Sequence, residues 1–335
     1  MDRFKRDIDE IISNDELFWG FSNSTVLVTG ATGLIGSILV KSFYYANSKY
    51  QLGIRIIGQI RNKEKAMQIF GDLFDQLELI FDSDISCDYI IHTVSPTTSK
   101  FFIEHPVETI KASVESAVKV LDVANKNKAS VVYLSSMEQY GVPSVDNQVM
   151  TEDKIGYINH LNIRSSYSEA KRLCECLCAS YAKEYEVDVK IARLAQTFGA
   201  GAPLTDNRMP MQFAKAVVEN KDIELHTEGK SISNFVYTTD AIVGILSILI
   251  KGESGQAYNV CNDSESRSVR EIAELVASDV ANDNIKVVMN IKNNMGYAPE
   301  VRMYLNSDKL KMLGWNAGVD LCEAYKRLVE YLKQN

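Results

Sequence analysis

Residues 25–39 read TVLVTGATGLIGSIL. Val26, Leu27 and Val28 form a short apolar run of the kind that becomes a buried parallel strand. Gly30, Gly33 and Gly36 follow at G-x-x-G-x-x-G spacing, and an apolar helical pattern begins among them. Glycines suit each task such a turn performs. The chain must bend sharply from strand to helix, its backbone must approach a pyrophosphate, and the helix must lie close on the strand. A helix N-terminus then offers free N–H groups and a partial positive charge to an anion. A glycine triplet alone is a weak signal, but a strand before it and a helix after it supply the context that a dinucleotide site requires. Gly30, Thr32, Gly33, Leu34, Ile35 and Gly36 are therefore the predicted cradle of a dinucleotide.

The rest of the chain extends that reading. Its 335 residues suffice for one large α/β unit with a second lobe, and 46% hydrophobic content supports a sizeable core. Thirty-six Lys and Arg against 44 Asp and Glu leave a net charge of −8, which argues against nucleic acid or an anionic membrane surface as the partner. The N-terminal stretch MDRFKRDIDEII is charged throughout, unlike a signal peptide, and no apolar run reaches the length of a membrane span. The six cysteines form no C-x-x-C pair, so no metal site is expected and a cytoplasmic, reduced protein is.

Residues 1–22 read as a helical extension, with Ile8, Ile11, Ile12 and Leu17 on one side. Strands are predicted at 26–28, 54–60, 77–81, 88–94, 131–134, 189–194 and 257–260. Helices are predicted at 36–46, 63–74, 107–127, 167–185, 211–220, 240–250 and 268–280, the last with Ser268 and Glu271 spaced as a capping box. Alternation of this kind predicts a Rossmann-type α/β fold, a doubly wound parallel sheet. The regularity loosens after Gly199. The expected division is an NAD(P)-binding domain from 23–200 plus about 235–262, and a smaller α+β substrate lobe from about 201–234 plus 263–335, interleaved at the C-terminal side.

Tyr167 and Lys171 stand four apart on a predicted helix and share a face. An ammonium beside a phenol favours the phenolate, making Tyr167 a general base near neutral pH. Ser136 ends the strand VVYL, where an open α/β sheet builds its site. It can hydrogen-bond the oxygen whose proton Tyr167 handles, and Glu138 is a second candidate acid or base.

TGATGLIG (29–36), SSMEQYG (135–141) and YSEAK (167–171) together resemble the extended short-chain dehydrogenase/reductases that modify nucleotide sugars. Further segments resemble the branch of UDP-glucuronate decarboxylases and dTDP-glucose 4,6-dehydratases. These are His92–Pro96 (H-x-A-S-P), Pro106–Lys111 (P-x-x-T-x-K), Arg164–Arg172 (R-x-x-Y-x-E-x-K-R), Asp206-Asn207-Arg208 with Phe213, and Leu313-Gly314-Trp315. The resemblance implies a bound NAD(P) that takes hydride from sugar C4 while Tyr167 takes the hydroxyl proton. The 4-keto sugar then decarboxylates, eliminates or is reduced from the other face. It further implies catalytic roles for Ser136, Glu138, Tyr167 and Lys171, and substrate contacts from Ser95, Gln196, Arg208, Lys230 and Arg302. A homodimer built on helices 107–127 and 172–185 is the family's common assembly.

Three departures bear on chemistry. Met137 stands where the 4,6-dehydratases carry a proton-donating Asp, which ranks decarboxylase-like or epimerase chemistry above dehydration. Gln196 replaces an Asn. Ser233 replaces an Arg that holds anionic groups, a role Lys230, Arg208 or Arg302 can fill. A carbonyl reductase consuming NADPH and a non-catalytic dinucleotide sensor are the rival readings. The intact Ser136, Tyr167 and Lys171 argue against the sensor. At the end of the second strand, Gly58–Lys63 carries no acid for a ribose 2′-hydroxyl, while Arg61 and Lys63 can receive a 2′-phosphate. NAD ranks first because internal hydride recycling suits it, with NADP as the alternative. Asp84 is the candidate adenine contact. Cys174, Cys176 and Cys178 cannot share one metal and are expected in the core. His92 is expected as a strand-end residue.

Overall fold

A computed structural model of the chain describes residues 5–82, 84–95, 99–145, 148–292 and 300–334. Pro96 and the first four residues of the extension lie outside these. Seven strands form the central sheet: β1 (Thr25–Thr29), β2 (Arg55–Gln59), β3 (Glu78–Ile80), β4 (Tyr89–His92), β5 (Ser130–Ser136), β6 (Val189–Leu194) and β7 (Ala257–Val260). Their order is β3-β2-β1-β4-β5-β6-β7, and every neighbouring pair is parallel. The direction of winding reverses between β1 and β4, and that reversal opens a crevice at the strands' C-terminal ends.

Strand alternation assigns each face its helices. Val26 and Val28 point into a core with Ile38, Leu39 and Phe43 of the Leu34–Tyr50 helix and Ile242 and Ile245 of the Thr238–Lys251 helix. Leu27 points the other way, towards Ala117 and Leu121 of the Pro106–Asn127 helix and Cys174 and Cys178 of the Ser166–Tyr185 helix. Core packing thus accounts for Cys174 and Cys178. Cys176, two residues from each, falls on the opposite side of the helix and is exposed, contrary to expectation.

A third core gathers Phe198, Phe213, Phe235, Tyr237, Ile272, Tyr325 and Leu328. Its sheet places Ile232–Tyr237 between Gln196–Phe198, which is parallel to it, and Asn262–Ser268, which is antiparallel. The polar NDSESRS strand has no apolar periodicity to announce it; its pairing with Ile232–Tyr237 makes it a strand. The Ser268–Glu271 capping box is present, and the helix after it passes into a π turn at Val276–Val280.

The extension forms helices at Lys5–Ile12 and Asp15–Trp19. Ile8, Ile11, Ile12, Leu17, Phe18 and Phe21 are buried in the first core beside β1. No described helix is long and apolar enough to cross a membrane.

Candidate active site

The glycine turn has the geometry its spacing implies. Gly30 lies at φ +68°, and a Cβ there would come 2.7 Å from Thr93 Oγ1. A Cβ on Gly36 would stand 2.4 Å from the Gly30 carbonyl oxygen and 3.0 Å from Ala31 Cα, so only glycine lets the helix lie this close to the strand. On Gly33 it would meet only the Gly30 carbonyl, at 3.3 Å, with the rest of that side open. Gly33 precedes the Leu34–Tyr50 helix, whose first turn has neither a side-chain cap nor an acidic residue. The leading N–H groups therefore keep their capacity for an anion. Glycines that a side chain would fill, beside an uncapped helix N-terminus, fit a dinucleotide pyrophosphate.

The other half of the site collects at the end of β5. Ser136 Oγ accepts the Glu138 N–H (3.2 Å) and caps the short turn Met137–Tyr140. The Ser166–Tyr185 helix brings Tyr167 alongside, its hydroxyl hydrogen-bonded with Ser136 and Ser95. The Tyr167 ring stacks on Phe102, with centroids 4.4 Å apart and planes within 5°. One turn on, the Lys171 ammonium is buried. It donates to the Leu134 carbonyl (2.7 Å) and to Tyr133 Oη (3.3 Å), and lies 5.7 Å from the centroid of the Tyr167 ring.

Electrostatics modify one expectation. Burial pushes the Lys171 ammonium down to about 8, opposed by Cys174, Glu175 and Cys178. The Tyr167 phenol is raised, not lowered: burial is the largest cause, the Glu138 carboxylate adds to it, and the hydrogen bonds to Ser136 and Ser95 and the charge of Arg208 oppose it. Lys171 gives its hydrogen bonds to the strand and to Tyr133, so it does not bring the phenol into the neutral range by itself. Glu138 is exposed on the turn that follows β5. Desolvation raises its carboxyl, and Arg164 opposes that.

Ser95, Ser136, Glu138, Tyr167, Lys171 and Arg208 thus come together. Arg208 is oriented by Asp206, whose carboxylate accepts from Nε (2.9 Å) and Nη2 (2.8 Å). Gln196 is half-buried, opposite Phe235 in the second sheet. Lys230 and Arg302 lie on exposed parts of the second lobe and pair with their sequence neighbours Glu228 and Glu300. Asp84 is exposed and pairs with Lys126 (2.9 Å). Arg61 is exposed just beyond β2. His92 is buried between Thr29 and Ser116, and burial pushes it down to about 3, which keeps it neutral.

Phe102, Tyr133 and Arg164 also contribute to the site. Only the Arg164 position carried a signal, as the first residue of R-x-x-Y-x-E-x-K-R. The support beneath the Met137–Tyr140 turn has no signal in the sequence either. Ser135 donates to Glu175 (2.5 Å), Glu175 takes a two-pronged hydrogen bond from Arg193, and Arg193 reaches Tyr140 Oη (2.9 Å).

A turn for pyrophosphate facing a Ser–Tyr–Lys group across one crevice is the arrangement of a known family. Residues 26–261 match the model of the NAD dependent epimerase/dehydratase family. The chain belongs to this family. The nicotinamide dinucleotide read from the glycine turn is the family's cofactor. Among curated family relatives, the UDP-glucuronic acid decarboxylase 6 of Arabidopsis thaliana is 28% identical over 323 residues, covering 92% of this chain and 89% of that one. Two solved structures show the same fold. One is a UDP-glucuronic acid 4-epimerase from Bacillus cereus in complex with UDP-glucuronic acid and NAD (TM-score 0.75, 19% identity, 92% of this chain and 99% of that one). The other is RMD from Pseudomonas aeruginosa complexed with NADPH (TM-score 0.73, 18% identity, 93% and 99%).

Proposed function

We propose that this chain modifies a nucleoside-diphosphate sugar through a 4-keto intermediate, with decarboxylase-like or epimerase chemistry. The convergence of Ser136, Tyr167 and Lys171 opposite the glycine turn carries this reading. A bound nicotinamide supplies the hydride acceptor and, on return, the donor, and its positive charge favours the phenolate that burial disfavours. Ser136 hydrogen-bonds the sugar C4 oxygen, and Tyr167 takes its proton. Lys171 holds the helix against β5 and orients the cofactor ribose. Once C4 is a ketone, a carboxylate at C5 is β to it, so its CO2 can leave with the electron pair held as an enolate. A proton delivered to C5 restores the ketone, and as hydride is returned to C4 Tyr167 gives the proton back to the C4 oxygen.

Met137 is buried and has no proton to donate to a leaving hydroxyl, which disfavours 4,6-dehydration. Glu138, with its raised carboxyl, is the acid available to reprotonate carbon. Arg208, Lys230 and Arg302 are the cations assigned to the anionic groups of the substrate in this reading. In this scheme 23–200 with about 235–262 holds the cofactor, and about 201–234 with 263–335 the sugar nucleotide. The names of the curated relatives favour decarboxylation within this class.

Val107, Ile110 and Leu173 are exposed on the Pro106–Asn127 and Ser166–Tyr185 helices, which supports a homodimer across them; sedimentation velocity reads that state. Six unpaired cysteines fit the cytoplasm.

The test is incubation with UDP-, dTDP-, CDP- and GDP-sugars, with products read by mass spectrometry and NMR. Loss of CO2, loss of water and unchanged mass separate the three chemistries. Tyr167→Phe is expected to lower kcat by about 10²–10⁴-fold with dinucleotide affinity retained. Full turnover by that variant overturns the assigned role, and absence of turnover across the panel overturns the substrate class.

A further inference from the structure

The far end of β2 determines what the adenosine half of a dinucleotide meets. The Gln59 carbonyl accepts the Ala31 N–H (3.0 Å), which ties the strand end directly to the glycine turn. Gly58 is closed in, since a Cβ there would come 2.8 Å from Leu79 and 3.1 Å from Ala31 Cβ. Ligand contacts at this edge must therefore come from the residues just beyond. In this architecture a carboxylate at the position accepts the ribose 2′-hydroxyl, whereas an arginine accommodates a 2′-phosphate.

Gly58–Lys63 reads GQIRNK and holds no carboxylate. Asn62 is committed, its side chain accepting the Lys65 N–H (2.6 Å) to cap the Lys63–Phe70 helix. Arg61 is exposed and makes no ion pair among the described residues. Lys119 and Lys126 take Asp82 and Asp84, the carboxylates that follow β3. With Asp82 and Asp84 held by lysines of the Pro106–Asn127 helix, the exposed Arg61 guanidinium is open to an anion. Lys63, whose ammonium lies 6.0 Å from the Phe74 ring centroid, is a second cation two residues on.

We propose that this chain selects the 2′-phosphorylated dinucleotide, NADP(H), through Arg61, with Lys63 in support. The proposal rests on the glycine turn being a dinucleotide site. A guanidinium meets a phosphate through two parallel N–H donors and carries a charge that NAD cannot use. The choice is compatible with internal hydride recycling, because the 2′ position is remote from the nicotinamide.

The experiment is isothermal titration of the full chain with NADP+, NAD+, 2′,5′-ADP and 5′-AMP, at low and raised salt. Nucleotide released from the purified protein on denaturation is identified by mass spectrometry in parallel. The expected result is about 10- to 100-fold tighter binding of each 2′-phosphorylated member of a pair, weakening with salt. Arg61→Ala should bring NADP+ down to the NAD+ value, with the thermal midpoint unchanged. NAD+ binding as tightly as NADP+, or an Arg61→Ala variant that keeps the preference, overturns the proposal and leaves the dinucleotide site standing. Failure of both dinucleotides to bind overturns the site as well.

Discussion

Lys171 is a buried ammonium whose folded-state value burial displaces. Its ammonium is buried against Leu134 and Tyr133, and burial lowers its folded-state value to about 8 from an ordinary 10.5. A lowered folded value means that the unfolded chain binds the extra proton more readily. The stabilising contribution is therefore present above pH 10.5 and lost as pH falls through about 8. Removing the charge should remove that dependence. In urea titrations between pH 7 and pH 10, the stability of Lys171→Met relative to wild type is expected to be greatest near pH 7 and to decline as pH rises. A constant difference across that range would contradict the buried charge. The pairing of Tyr167 with Lys171 was legible because four residues on a helix share a face. The partners that consume the lysine's hydrogen bonds were not, because Leu134 and Tyr133 reach it only after β5 and the helix pack together. For the same reason the phenol's displacement reversed sign: local spacing reports the neighbouring ammonium and is silent about desolvation.

At the scale of elements, the glycine turn separates two demands that the sequence pattern merges. Gly36 serves packing, since a Cβ would strike backbone at 2.4 Å and 3.0 Å. Gly33 leaves open the side from which a pyrophosphate would approach. Gly36→Ala should cost about 1–3 kcal/mol through overpacking and lower the thermal midpoint. Gly33→Ala should leave the midpoint nearly unchanged yet weaken dinucleotide binding at least tenfold, because its methyl would stand over the helix N-terminus. Thermal unfolding and titration calorimetry on the two variants check the contrast, and equal thermal losses would refute it. The seven sheet strands were legible from apolar runs, with ends shifted by a residue or two. Gln196–Phe198 and Asn262–Ser268 were not. Their strand character comes from the partner they flank, Ile232–Tyr237, and NDSESRS has no apolar face to display.

The described residues form three cores, one on each face of the seven-stranded sheet and one in the second lobe, and the alternation of strands and helices in the sequence foretold the two on the sheet. The attachment of the N-terminal extension to the sheet and to the second lobe was legible only in part. Ile8, Ile11 and Ile12 marked one buried face, but nothing local links Asp7 to a tyrosine and an arginine more than 200 residues away. In the fold, Tyr237 Oη donates to Asp7 Oδ2 (2.7 Å), and Arg327 Nη1 donates to Asp7 (3.1 Å) and Glu10 (2.7 Å) while its Nε reaches Glu323 (2.9 Å). The Lys5–Ile12 helix is thereby tied to the second sheet through Tyr237 and to the C-terminal helix Leu321–Lys333 through Arg327. Asp7 is buried, and desolvation raises its carboxyl, with the Tyr237 hydrogen bond and Arg327 opposing. Arg327→Met would leave that carboxylate buried without its cation, a loss of about 3–5 kcal/mol at neutral pH. Removing the cation raises the folded-state value further. The contribution from Asp7 is then present below the unfolded value of 3.8 and is lost as pH rises through the folded one. The variant's deficit against wild type should accordingly shrink as pH is lowered from 7 towards 5. In Asp7→Asn/Arg327→Met, which has no carboxylate to protonate, the acid recovery should vanish and much of the neutral-pH stability return. Urea titrations of wild type and the two variants at pH 5, 6 and 7 measure this, and a deficit independent of pH in Arg327→Met would show that Arg327 does not hold Asp7 as a buried charge.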